Sequence, residues 1–259
     1  MDASHLAACL DATLSPDPRT REESSRFLLE NVQNHATGLE SLLALSSGVN
    51  DANGGTPVVS EGGKLAAAVA LKNGIKKRWT VDENEEDDAK EIEAPAKERL
   101  RSLVLEKALD GTNSNQQVKN QLAEALQVIA TTDLVCTKEF PSGKWPELVP
   151  SLVNKIGRSM AAEDAATSVA CLTVANAIFK RFRGATKTDA LYMELKMALD
   201  GFAKPLLEVT REYAKKVVSS SSGDEEAKRS QAVKALRLCL RIFYSLNSQE
   251  LPEVFEDDI

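Results

Sequence analysis

The feature that most constrains this chain is a recurrence. Segments of helical period follow one another along its whole length, each closed by a short polar, Pro-marked or Gly-marked break. In Asn115–Thr131, Val118, Leu122, Ala125, Leu126 and Ile129 recur three and four apart, which lines them up on one face of a helix. Ser4–Leu14 comes first and ends at Ser15-Pro16-Asp17-Pro18. A second helix then reaches about Gln33, with Phe27, Leu28 and Val32 on its apolar side. Leu39–Leu45 and Lys64–Trp79 are the third and fourth. Pro95 opens the fifth, since a first helical turn does not need its missing N–H, and Asp110-Gly111 stops it. After the sixth, Pro146–Arg158, Asp164–Phe182, Asp189–Val218 and Glu225–Leu246 continue the series. The eighth carries Val169, Leu172 and Phe179, and the tenth has Val233, Leu236, Leu240 and Phe243 on one side. Pro205, inside the ninth, is expected to kink that helix or split it in two. Alternating runs dense in Val, Ile, Thr and Tyr, the mark of strands, are hard to find.

Ten helices in about 246 residues give roughly 45–50 residues per pair, near the repeat length of stacked helix pairs. The expected fold class is therefore all-α, a right-handed α-α superhelix, or HEAT-repeat solenoid, of about five helix pairs through residues 1–259. Each pair would bury its apolar side against its neighbours and leave a concave binding surface. A closed helical bundle satisfies the same periodicity and stays open as an alternative. Breaks are expected near residues 48–63, 80–94 and 219–223, and a further helix near Ser248. No capping sequence covers Leu251, Val254, Phe255 and Ile259, so the array is expected to be truncated at its C-terminal end.

A formal net charge of −7 and a pI near 5.1 argue against sequence-independent nucleic-acid binding and suit a partner with basic patches. Cys9, Cys136, Cys171 and Cys239 lie too far apart in sequence for a metal knuckle or redox pair, and read as free, buried thiols. Ala66–Leu71 is too short to span a bilayer, which points to a soluble chain of the cytoplasm or nucleus with no membrane partner. His5 and His35 are the only histidines, and each reads as a surface residue without a Cys or Ser to activate. Gly62-Gly63-Lys64 fails as a phosphate loop, because Val58 stands where the first Gly belongs, Leu65 replaces Ser/Thr, and no strand precedes it. The acidic run Asp82–Asp88 lacks the Gly and spacing of a calcium loop and reads as a solvated linker. No catalytic constellation emerges, so neither an enzyme nor a cofactor or metal is expected.

The helix Lys64–Trp79 is more informative. A helical wheel collects Leu65, Ala68, Val69, Ile75 and Trp79 into one apolar arc, with Lys72 inside it, Lys76 at its edge, and Asn73 and Lys77 on the adjoining flank. The lysines either snorkel off a packing face or form a basic stripe for an acidic patch of a partner. Asn176 shares its helix face with Val169, Leu172 and Phe179 and is expected to be a buried amide satisfied by a neighbouring helix.

Leu71-Lys72-Asn73-Gly74-Ile75-Lys76-Lys77-Arg78-Trp79 resembles the helix that closes the second repeat in the importin-beta superfamily of nuclear transport receptors. Phe140-Pro141-Ser142-Gly143-Lys144-Trp145-Pro146-Glu147-Leu148 is similar to the turn that opens the fourth repeat in these receptors. Phe179-Lys180-Arg181-Phe182-Arg183, and the long stretch from Ile242-Phe243-Tyr244-Ser245-Leu246 to Val254-Phe255-Glu256-Asp257, resemble the importin-alpha re-exporters, the CAS-type exportins. The likeness runs from about Ser4 to the end and departs at three places: a long Gly48–Gly63 loop, the extra Gly143, and Tyr192 where Trp is common.

The resemblance implies an importin-beta N-terminal-type segment over residues 20–102 and further exportin-type HEAT repeats over 103–259. It implies a receptor without chemistry, which binds Ran-GTP and importin-alpha together in the nucleus and releases both in the cytoplasm on GTP hydrolysis. It further implies contact with nucleoporins and shuttling between nucleus and cytoplasm. Carried onto this sequence, it makes Lys72, Asn73, Lys76 and Lys77 the residues expected to face Ran, with Gln117, Asn120, Gln121 and Glu124 on the sixth helix beside them. Arg181 and Arg183 either meet a partner or form an inter-repeat ladder, and no cargo-binding residue is assigned. Another importin or exportin of the superfamily, or a passive helical scaffold without a GTPase partner, are the alternative readings.

Overall fold

The structure is a computed structural model that describes residues 2–48, 59–81, 90–113, 115–219 and 226–249. The described residues form ten α-helices, a π-helical turn and a 3-10 turn, with no strand among them. The chain divides into two compact units, residues 1–108 with 113–129, and residues 109–112 with 130–259.

The first unit holds α1 (Ala3–Ala12), α2 (Pro18–Phe27), α3 (Ala36–Ser47), α4 (Glu61–Arg78), α5 (Ala94–Ala108) and most of α6 (Gln116–Asp133). Caps set the starts. The Asp2 carboxylate accepts from the Ser4 N–H, Asp17 accepts from Thr20 just ahead of Pro18, and the Ser60 hydroxyl accepts from Gly63 at 2.9 Å. α2 runs on as the π-helical turn Leu28–Val32, and α3 ends on Gly48 with φ 64°, the left-handed position glycine favours. α3 and α4 pack face to face through Leu39, Leu42, Ala67, Leu71 and Ile75, all buried. A Cβ on Gly74 would lie 2.6 Å from Leu39 Cδ2, so a glycine inside α4 is what lets the two helices approach. Trp79 is buried under Lys97 and Arg101, whose charged ends stand 5.6 and 5.7 Å from its ring.

The second unit holds α7 (Leu148–Ala161), α8 (Ala165–Phe179), a 3-10 turn (Lys180–Gly184), α9 (Asp189–Ser219) and α10 (Glu226–Leu246). α7 packs on α8 and α9 on α10, while α7 also meets α9 and α8 meets α10. First helix stacks on first and second on second, the HEAT-like arrangement expected from the spacing. Phe179, Phe182 and Phe202 knit α8, its 3-10 extension and α9 together, with centroids 5.1 and 6.1 Å apart. The Asp133 carbonyl accepts from both Lys144 and Trp145, which closes the turn opened at Phe140. Gly143 sits in that turn at φ 74°, and a Cβ there would lie 2.7 Å from the Asp133 oxygen.

The described helices fall where the periodicity predicts them, with ends shifted by a few residues. α9 is one helix through Pro205, not two. Proline removes a single backbone bond, and Phe202, Ala203, Leu206 and Val209, all buried, hold both sides of the break against neighbours. Asn176 also differs from expectation, since its side-chain oxygen is buried without a hydrogen-bond partner. The five apolar residues of α6 are buried as read, and so are all four cysteines, unpaired. Burial pushes the Cys171 thiol up to about 12 and the Cys239 thiol up to about 11, which keeps both protonated and inert. His5 and His35 are exposed. Among the described residues no helix is long and apolar enough to cross a membrane, and no cluster could hold a metal. The acidic run Asp82–Asp88, most of the Gly48–Gly63 and 219–223 breaks, and Leu251–Ile259 lie outside the described residues.

Candidate functional site

α4 carries the residues singled out in the sequence, and its packing shows which way they point. Its buried side is built from Gly63, Ala67, Ala68, Ala70, Leu71, Gly74, Ile75 and Arg78. Leu65 and Val69, expected inside the apolar arc, are only half-buried and fall on the opposite side with Lys72, Asn73, Lys76 and Lys77. Ala68, Ile75 and Trp79 are buried as the wheel predicts; the arc is rotated away from Leu65 and Val69 because small residues, which score low as hydrophobes, also make close helix contacts. The outcome is a mixed strip in which aliphatic carbons alternate with ammonium and amide groups.

Arg78, next in sequence, turns the other way. Its guanidinium donates to the carbonyls of Lys90 at 2.7 Å and Gln33 at 3.2 Å, joining the end of α4 to both flanking segments.

α6 lies alongside. Lys72 Nζ pairs with Glu124 Oε2 at 3.0 Å, and Asn115 Nδ2 donates to Glu61 Oε2 at 2.9 Å, so the two helices are clasped at both ends of the face. Hydrogen bonds from Lys64 and Asn115 hold the Glu61 carboxyl below the usual range. Gln117, Asn120 and Glu124 are exposed on α6, and the Gln116 amide donates to Asn120 at 2.9 Å. Gln121 is half-buried, and its side-chain oxygen is buried with no partner. All eight candidate residues thus lie on α4 and α6 of the first unit. Two of them, Lys72 and Glu124, satisfy each other. Asn73 and Lys76 are exposed and form no side-chain pair among the described residues.

The face offers amides, ammonium groups, the Glu124 carboxylate and aliphatic surface, groups that suit protein docking. The Lys72–Glu124 pair was invisible in sequence because its partners are 52 residues apart.

Within the second unit Arg181 and Arg183 form a ladder between helix pairs. Arg181 pairs with Glu194 at 2.5 Å, both nearly buried, and its guanidinium lies 5.0 Å from the Phe182 ring. Burial raises the Glu194 carboxyl, against the pull of Arg181. Arg183 donates from Nε to Ser245 Oγ and from Nη2 to the Arg241 carbonyl, both at 2.9 Å, and stacks 5.1 Å over Tyr244. Ser248 Oγ and Gln249 Nε2 donate to the Phe182 carbonyl at 3.1 and 2.8 Å. The two stretches that carried the CAS-type likeness are therefore bonded to each other.

Comparison with known proteins falls on the same region. Residues 178–259 match the Cse1 family model. The human and bovine exportin-2 proteins are each 32% identical over 257 residues, which is 98% of this chain and 23% of the relative. Zebrafish (Danio rerio) exportin-2 is 30% identical over 256 residues, again 98% of this chain and 23% of the relative. The chain thus spans about a quarter of the length of the curated relatives it matches.

Proposed function

The chain belongs to the exportin-2 (Cse1) family, and on that premise we propose that it serves in a nuclear export receptor, as a part that binds Ran-GTP. In the full-length receptor the cargo is importin-alpha, carried from nucleus to cytoplasm, with nucleoporins met on the way. Ran-GTP and cargo each raise the other's affinity through one coupling free energy, typically ~1–3 kcal/mol. GTP hydrolysis then releases both.

The observation that carries this reading is the placement of the eight residues. Positions from two separate stretches of sequence come together on adjacent helices of one unit, six of them exposed and two, Lys72 and Gln121, half-buried. Lys76 supplies an exposed charge, Asn73 and Asn120 supply amides, and Lys72 sits in a pair that an approaching acidic group can reorganise. Lys77 is exposed too, though already engaged in other interactions.

The test is interferometry with Ran loaded with a non-hydrolysable GTP analogue or with GDP. Weak binding that requires the GTP form, and that is lost on Lys72→Glu/Lys76→Glu/Lys77→Glu, is the expected result. Binding to both nucleotide forms alike, or insensitive to the triple reversal, removes this face from the function. Retention of a cargo other than importin-alpha by the full-length protein would move the chain to another receptor role.

A further inference from the structure

We propose that a cavity at the junction of α3, α4 and α5 binds a carboxylate of a partner protein, presented as an Asp or Glu side chain with Lys or Arg close by on either side. The cavity lies wholly within the first unit and shares no residue with the α4–α6 face, so it stands apart from the Ran reading.

The cavity has a volume of about 660 Å³. The end of the π-helical turn, the start of α3, the last residue of α4, and the stretch leading into α5 enclose it. Arg78, Ile92 and Ala96, all buried, form its floor.

Arg78 gives the floor its character. It is 6% exposed, yet no carboxylate among the described residues pairs with it. Its Nε and Nη1 donate to the carbonyls of Lys90 and Gln33, which satisfies hydrogen bonds without cancelling charge. The N–H groups on Nη2 make no hydrogen bond among the described residues. Burial lowers the guanidinium from its usual 12.5, and no charge among the described residues opposes that shift. A guanidinium still stays protonated at neutral pH. A buried cation without a counter-ion is costly, and an incoming carboxylate offsets that cost.

The start of α3 adds donors. Ala36 and Thr37, its first two residues, line the cavity, and the His35 side chain ahead of them does not cap the helix. First-turn N–H groups have no partner inside their own helix, so these remain available to an anion.

The rim sets the class of ligand. Glu91 is paired with Lys97, and Arg99 with Glu40 at 3.2 Å. Lys90, Glu30 and Glu93 are exposed at the mouth, without an ion pair among the described residues. The Glu30 and Glu93 carboxylates and a net charge of −7 oppose polyanions such as RNA. The same two carboxylates favour basic residues on either side of one inserted acid. A segment with a single Asp or Glu between Lys or Arg therefore fits the floor and the rim together.

The probe is a short fluorescein-labelled peptide with one Asp between pairs of Lys, followed by anisotropy against the purified chain. Its control carries Asn in place of Asp. Non-specific attraction to an acidic chain favours the control, which has one more net positive charge, whereas the cavity should prefer the Asp peptide by about tenfold. Arg78→Met, with folding checked by circular dichroism, should abolish that preference. Thr37→Trp, made at an exposed position of the rim, should block the cavity without touching Arg78 and should also remove the preference. Glu30→Gln/Glu93→Gln should weaken both peptides alike and keep the preference. The proposal is overturned if the control binds as tightly as the Asp peptide, or if the preference survives Thr37→Trp or a folded Arg78→Met. It is also overturned if sodium phosphate displaces the peptide where an equal ionic strength of sodium chloride does not, which would make this a site for free anions. A tenfold gain in peptide affinity when the carboxylates of the acidic run Asp82–Asp88 are replaced by amides would overturn it in favour of the chain's own run as the occupant.

Discussion

Replacing Arg181 by Met should be among the most damaging single changes in the second unit, and removing its partner as well should undo most of the harm. Arg181 and Glu194 meet at 2.5 Å with side chains only 14% and 6% exposed. Taking away one member of such a pair leaves a charge stranded away from water, at a cost of about 3–5 kcal/mol, whereas replacing both by apolar groups is often close to neutral. With a urea dependence of about 2 kcal/mol per molar, Arg181→Met should lower the unfolding midpoint by ~1.5–2.5 M, and Arg181→Met/Glu194→Leu should recover most of it. The two tryptophans, Trp79 and Trp145, lie in different units, so a Trp79→Phe background makes Trp145 fluorescence a reporter of the second unit alone. The pH dependence supplies a second signature. Burial already lifts the folded Glu194 carboxyl above its ordinary 4.5, and loss of Arg181 lifts it further. Such a group binds more protons folded than unfolded, so the variant should lose stability as pH rises from about 4.5 through the folded pKa. Its deficit against the parent should be smallest near pH 4 and full at neutrality. A midpoint shift under 0.5 M, roughly the ~1 kcal/mol of an exposed pair, would refute the reasoning. So would a double variant as unstable as the single one.

Other expectations follow from local geometry. Glu163 ends α7 at φ 55°, where Asp164 N–H bonds back to the Ser159 carbonyl, so Glu163→Gly should stabilise the unit by about 1 kcal/mol in urea melts. Asp164→Ala should cost about 1 kcal/mol by removing the cap on Thr167. The bonds from Thr167 hold the Asp164 carboxyl below its usual 3.8, so that contribution is present above 3.8 and is lost as pH falls through the depressed value, which acid titration of the melts can follow. Gly143→Ala should destabilise by ~1–3 kcal/mol, since positive φ and contact with the Asp133 oxygen act together; an unchanged thermal midpoint would contradict this. A double-mutant cycle on Lys72 and Glu124 should return a coupling of only ~0.2–1 kcal/mol, because Glu124 is 48% exposed.

Legibility in the sequence depended on residue size. The α6 stripe, built from Val118, Leu122, Leu126 and Ile129, is large and apolar and is buried as read. On α10 the stripe Val233, Leu236, Leu240 and Phe243 is equally clear, yet the side that packs is Ala232, Ala235, Leu238, Cys239, Ile242 and Leu246. Two apolar arcs were present, and periodicity does not say which one a neighbour takes. α4 repeats the lesson with Ala67, Ala70 and Gly74. Lys72, Asn73, Lys76 and Lys77 came from one contiguous motif and share one side of α4, whereas Gln117, Asn120, Gln121 and Glu124 were taken from the polar residues of α6 without a motif of their own. What joins them did not show, since Lys72–Glu124 and Asn115–Glu61 link positions 52 and 54 apart. The fate of Arg181 was hidden for a related reason: Glu194 stands on the next helix, where only the folded chain brings it within reach.

The glycine and alanines along α4 also set how the candidate face responds to a load. Ala and Gly have no rotamers, so a joint made of them loses no side-chain entropy on forming and has no torsions through which to yield. With Gly74 pressed on Leu39, backbone meets side chain almost directly, so a push on Lys76 is handed to α3 through a close contact. Leu39, Leu42, Leu71 and Ile75 share the joint, and full burial holds their rotamers in place. α3 and α4 therefore behave as one stiff plate, and a partner that grips the outer surface of α4 moves both helices or neither.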